Sequence, residues 1–186
     1  MKKTFLVLLC MISAIALNAQ TSKSTNYVYG VDYTHTKVFA ADESIADFTK
    51  AFEGINMLLV SESDKYDFTR VLGKTANIVI EPILKITTDA NYDNMMTLSN
   101  MYDEPNTAEI IRNYDLPQNE GFGIVMIAKF LDKPNACATY DVVLFDIATR
   151  EILQKKEAVG DAEGFGLRNY WARTVYNVIK RAKLYR

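Results

Sequence analysis

His35 is the only histidine of the 186 residues, and it stands three positions after Asp32 in Asp32-Tyr-Thr-His35-Thr. A Ser–His–acid or Cys–His relay would have to run through it. No serine or cysteine of the chain sits in a nucleophile motif, so a histidine facing solvent near a strand end is the plainer account. Carboxylates are plentiful, among them Asp32, Glu53, Asp141 and Asp146. Glycoside hydrolysis needs two of them held across a cleft at a defined separation, and sequence spacing sets no such pair. Asp32 and His35 are therefore candidate binding residues, and no residue is assigned as catalytic.

Metals are poorly served. With Cys10 inside the expected signal, one histidine and one cysteine, Cys137, would leave two positions of a zinc site to carboxylates. Met95, Met96 and Met101 could offer thioethers to Cu(I), but methionines at helical spacing are the usual filling of a core. Gly160-Asp-Ala-Glu-Gly164-Phe-Gly166 leads into a helix start, where backbone N–H groups can cradle an anion. Asp161 and Glu163 would repel that anion, and the loop matches no nucleotide fingerprint. No metal and no cofactor are expected. The next segment, Gly164-Phe-Gly-Leu-Arg168-Asn-Tyr170-Trp171, joins flexible glycines to an arginine and paired aromatics, residue types that anchor partner surfaces. Trp171 falls on the apolar face of its helix, which leaves Arg168 and Tyr170 as candidate binding residues.

The elements that hold these residues follow from periodicity. Tyr29, Val31 and Tyr33 alternate with Gly30, Asp32 and Thr34 as a strand that continues weakly to Phe39. Ser44, with Asp47 three residues on, caps a helix over 44–60 whose apolar residues recur at three- and four-residue steps. Residues 61–75 are polar and turn-rich, although Tyr66, Phe68, Val71 and Leu72 must pack somewhere. Asn77 to Thr87 alternates as a second strand, placed at an edge or bulged because Pro82 lacks a donor. Over 88–120 a short helix is expected around Met95 to Met101 and another over Thr107 to Asn113. Phe122 to Leu131, Thr139 to Ile147 and Glu151 to Val159 are three strands joined by short turns, an antiparallel meander. Leu167 to Tyr185 closes the chain as an amphipathic helix, its cations gathered where the helix dipole favours them.

The N-terminus speaks to compartment. Lys2 and Lys3 precede an apolar run from Phe5 to Leu17, and small Ala19 precedes polar Gln20, the order of an export signal. The run is shorter than the roughly 20 residues that a membrane span needs. Cys10 lacks the small residue a lipobox requires before it. The expected organisation is a signal over 1–19, a disordered lead over 20–26 and one domain over 27–186. Formal charge is −2, and the signal carries two of the basic residues and none of the acidic ones, which argues against general affinity for nucleic acid or anionic lipid. Cleavage would leave Cys137 alone, so stability must come from the core.

Gly30-Val-Asp-Tyr-Thr with Ala51-Phe-Glu-Gly-Ile-Asn56, and Val142-Val-Leu-Phe-Asp-Ile147 with Gly164-Phe-Gly-Leu-Arg-Asn-Tyr-Trp171, resemble a family of secreted proteins of Bacteroidetes-type bacteria. The likeness covers nearly all of the chain after the signal. That family carries no established activity, so the resemblance implies export and assigns no site. In element order the chain is also similar to the N-terminal domain of TolB and to CsgG- and LpoB-like periplasmic domains, which work by contacting envelope components. The expected fold is α+β and two-layered: a mixed sheet ending in the three-stranded antiparallel meander, with two main amphipathic helices on one face. The expected function is a non-catalytic interaction domain, exported to the periplasm or outer membrane, that contacts another envelope protein or component and keeps no transmembrane anchor after signal cleavage. Alternatives are a small-molecule or glycan binder and, further off, a carboxylate-based hydrolase.

Overall fold

The computed structural model describes residues 25–184. The expected signal over 1–19, Cys10, most of the expected lead and Tyr185 lie outside the described residues. The elements run β1 (Asn26–Asp32), β2 (Lys37–Phe39), α1 (Ile45–Ser61), α2 (Thr69–Leu72), β3 (Asn77–Ile78), α3 (Glu81–Asp89), β4 (Met96–Thr97), α4 (Thr107–Arg112), β5 (Phe122–Asp132), β6 (Cys137–Asp146), β7 (Ile152–Asp161) and α5 (Leu167–Arg181). Asn26, assigned to the lead by its polarity, is instead the first residue of β1 and pairs with Phe122.

β5 is the spine of a seven-stranded mixed sheet. Its run from Gly123 to Leu131, apolar but for Lys129, is buried at every position, as a strand covered on both faces must be. β1 and β2 lie end to end along one side of it, both parallel to it. β3 and β4 add outside them, again parallel. On the other side β6 pairs antiparallel with β5, and β7 antiparallel with β6. The core of the sheet is thus parallel, which short loops alone could not have indicated. The parallel partners come from distant parts of the chain. β7 forms an outer edge, and Leu153 to Glu157 of it are exposed.

The two main helices do share one face. Phe48, Phe52, Ile55 and Leu59 of α1 and Trp171, Val175 and Val178 of α5 enter a single core with Val28, Ile124, Met126 and Val142 of the sheet. Each such side chain contributes about 1.5–3 kcal/mol on burial. α1 starts where the capping box places it: Ser44 Oγ accepts from Asp47 N–H, and the Asp47 carboxylate accepts from Ser44 N–H. The expected two-layer arrangement needs correction, because the opposite face is covered as well. There Tyr29, Val125, Ile127, Val143 and Phe145 pack under Ile83 of α3 and Ile110 and Ile111 of α4.

Two further expectations fail for physical reasons. Only Asn77 and Ile78 of the expected second strand pair in the sheet; Glu81–Asp89 is helix, and Pro82 sits in its first turn, where a missing N–H costs nothing. Ile80, Ile83 and Thr87 are its buried residues, steps of three and four that even-numbered isoleucines had disguised as alternation. The expected helix over Met95 to Met101 is instead the short β4 with irregular chain after it, and Leu98 and Met101 are exposed.

β1 also departs from simple alternation. Val28 and Val31 oppose Ile124 and Met126, so β1 carries one residue more than β5 between these pairs. The extra residue lies at Gly30, whose φ of 102° is open to glycine and strained for other residues. Parity therefore flips: Tyr29 faces α4, whereas Val31 and Tyr33 face α1. Asp32, paired with Ile127, is turned to the α4 side.

Candidate functional site

Asp32 ends β1 fully buried beside α4. Its Oδ1 accepts from Thr34 N–H at 2.8 Å and Thr34 Oγ1 at 2.6 Å, an aspartate-initiated turn. Its Oδ2 accepts from Tyr114 Oη at 2.6 Å. Burial, and then the neighbouring Asp32 charge, push the Tyr114 phenol well above its ordinary pKa, so it stays a donor. Tyr114 is held from behind, because Arg150 donates to its backbone carbonyl.

Over this carboxylate lies a cleft of about 360 Å³. Ile86 of α3, Ile110 of α4 and Tyr114 give it apolar walls, and Asn106, Glu109 and Asn113 a polar rim. The rim is ordered by the start of α4: Asn106 caps the helix by accepting from Glu109 N–H, and its amide reaches the Glu109 carboxylate. Among the described residues no lysine or arginine lines the cleft. A second cleft of about 280 Å³ adjoins it, and Thr34 and His35 belong to both. It is bounded by Thr36, Tyr92 and the 103–105 segment. Thr36 is 3% exposed, and its Oγ1 has no hydrogen-bond partner among the described residues. Lys37, the cation at this cleft, donates to the Asn94 carbonyl.

A charge network centred on a buried lysine and aspartate lies further along the same sheet face. Lys129, 1% exposed, meets Glu104, Glu157 and Asp141, and Lys155 and Thr107 also hold Asp141. Burial alone would lower the Lys129 pKa; the bonds from Glu104 and Glu157 outweigh it and raise the value. An ammonium so fixed is a poor nucleophile or base and a good cross-brace.

Of the residues singled out from sequence, Asp32 and His35 come together, His35 exposed on the turn that Asp32 initiates. Arg168 and Tyr170 do not join them, since both lie on the α1–α5 side. The Arg168 stem lies over Gly54 of α1, so closely that a Cβ there would stand 2.7 Å from its Cδ. Its guanidinium bonds the Asn169 side chain, and it lines a separate cleft of about 390 Å³ with Tyr66 and Tyr176, beside Phe165, which is 97% exposed. Tyr170 is less free than its sequence position indicated: it is half-buried, edge-on to Trp171, with Lys133 Nζ 4.9 Å from its ring. Cys137 is a free thiol whose pKa burial raises, with Asp132 and Asp161 adding to the effect. Met95 is core and Met101 exposed, so the methionines do not converge. Among the described residues no three His, Cys, Asp or Glu gather as metal ligands, and no helix is long and apolar enough to cross a membrane.

Sequence reasoning missed Tyr114, Ile110 and Asn113. Only Asn106, followed by Glu109 at capping spacing, left a local signal. The chain matches no protein-family model, and no match emerges among curated proteins or solved structures.

Proposed function

We propose that this protein is an exported, non-catalytic binding module and that the Asp32 cleft takes up a small polar ligand. The observation that carries the reading is Asp32 itself: a fully buried carboxylate, turned to the cleft by a strand bulge and braced by Thr34 and Tyr114. A cleft of this volume with apolar walls and a few fixed polar groups is the usual form of a small-molecule site. Export, to the periplasm or outer membrane, is supported by the order of charge, apolar run and small residue over positions 2–19, and by the resemblance to secreted proteins. The test is thermal shift of the protein against a panel of sugars, amines and organic acids, since a true ligand stabilises by mass action. A hit that survives in Ile110→Trp, which fills the cleft, would move the site elsewhere.

A second reading, docking of an envelope partner, is favoured by Phe165 standing exposed beside Arg168. Recovery of envelope proteins on immobilised protein should fall with Phe165→Ser and with Arg168→Ala. Equal recovery by both variants would remove this surface.

A further inference from the structure

We infer that the ligand of the Asp32 cleft carries a primary ammonium group, with a hydroxyl or carbonyl a few bonds away that reaches past His35 to Thr36. The inference rests on the reading of this cleft as a ligand site and adds the chemistry it selects.

The charge comes first. Asp32 and Glu109 line the first cleft, and among the described residues no lysine or arginine lines it to answer them. A buried carboxylate gains most from an opposite charge brought within contact, because little water screens it there. Hydrogen-bond capacity then narrows the cation. Each carboxylate oxygen has two lone pairs. Oδ1 accepts two bonds, both from Thr34, whereas Oδ2 accepts only that of Tyr114. Among the described residues the spare acceptor position is therefore on Oδ2, the oxygen bonded to Tyr114, which lines the cleft with it. An N–H of a primary ammonium fills it; a quaternary ammonium has none to offer.

The other end of the ligand is argued from Thr36. A hydroxyl this deeply buried without a partner is unfavourable, and a ligand group that bonds it removes that cost. Thr36 borders the second cleft, which meets the first at Thr34 and His35. The second cleft carries charges of both signs, with Asp103 and Glu104 on one side and Lys37 on the other, and Glu104 is already held by Lys129, so the far end of the ligand is taken as neutral. Ile86 and Ile110 between the polar ends suit an aliphatic linker.

The probe is 4-aminobutan-1-ol, compared with its N,N,N-trimethyl analogue, butane-1,4-diol and 4-hydroxybutyrate. Binding is followed by amide chemical-shift changes in the NMR spectrum of the whole protein. The amino alcohol should shift the resonances of Thr34, His35 and Asn113 and bind about tenfold more tightly than the other three. Asp32→Asn should abolish that preference. Glu109→Gln, a rim change that leaves the interior intact, should weaken amino-alcohol binding about two- to threefold, and Thr36→Val should weaken it about fivefold. Equal binding of diol or hydroxybutyrate at these residues would overturn the ammonium assignment and leave the cleft a ligand site. Silence of every probe at the cleft, alongside a ligand of another class that acts there, would also overturn it. Silence of every class at the cleft would remove the site itself.

Discussion

Asn56, buried in α1, exchanges two hydrogen bonds with Val31 of β1: its Oδ1 accepts from Val31 N–H at 2.8 Å, and its Nδ2 donates to Val31 C=O at 2.9 Å. The amide thus satisfies both backbone polar groups of Val31, just past the bulge. A Cβ at Gly30 would stand 2.4 Å from the same Oδ1. Glycine and asparagine thus form one device, which turns Val31 to the α1 core and Asp32 to the cleft. A shift by one residue would exchange their faces.

Replacing Asn56 with leucine leaves both polar groups of Val31 buried and unmet, at a cost of about 2–4 kcal/mol. Gly30→Ala should cost a similar amount through its φ and the contact with Asn56. Urea unfolding midpoints measure both. Stability equal to the parent in either variant would show that the bulge does not depend on this pair.

Lys129→Met should destabilise the fold by about 3 kcal/mol, because Asp141 keeps Thr107 and Lys155 but loses its buried countercharge. Glu157→Gln, at a side chain 58% exposed, should cost under about 1 kcal/mol. Chemical denaturation of the two variants side by side checks the order, and a reversed order would place the brace outside the network.

Alkaline pH should weaken the fold. Burial raises the phenol of Tyr29 to about 12, against the charge of Arg150, and holds Tyr33 and Tyr114 well above the ordinary value. A group with a raised folded pKa contributes in full below its unfolded pKa, about 10 for tyrosine, and that contribution is lost as pH climbs through the folded value. Lys129 acts in the same direction. Melting temperature should hold steady from about pH 7 to 9 and fall above about pH 10. Tyr114→Phe should fall less steeply.

Gly54→Ala separates two effects. In a helix interior the change alone favours folding by up to about 1 kcal/mol. Here the new methyl meets Arg168 Cδ and must displace it. The substitution should be near neutral in the parent and stabilising by about 1 kcal/mol in Arg168→Ala, a coupling that a double-mutant cycle measures directly. No coupling would mean that the arginine stem does not rest on α1.

How much of this the chain shows before folding depends on distance along it. α1 is readable because its signals are local: Ser44 and Asp47 fix the start, and apolar steps of three and four fix the face. The capping asparagine of α4 is readable for the same reason. α3 was hidden because Ile78, Ile80, Leu84 and Ile86 satisfy alternation, which masks the helical steps from Ile80 to Ile83 and Thr87, and Pro82 fits a strand edge as well as a first helical turn. Gly30 read as one position of a regular strand; the bulge there and its consequence for parity needed Asn56, and the cleft needed Tyr114, whose contact with Asp32 spans 82 positions. Asp32 and His35 could be chosen by residue type; their walls could not. Arg168 and Tyr170 were placed on the right helix, but the sequence held no sign that Lys133 and Trp171 would engage the tyrosine.

The outer strand has a bearing on how the protein behaves in concentrated solution. β7 pairs only with β6 among the described residues, so its far side leaves backbone donors and acceptors open to another extended chain. Lys155 and Lys156 sit mid-strand, where two copies brought edge to edge would set ammonium against ammonium. That repulsion reaches about 10 Å in 0.1 M salt and only about 3 Å in 1 M. Ionic strength is therefore the control on whether molecules stay separate or zip together, and brine favours the second.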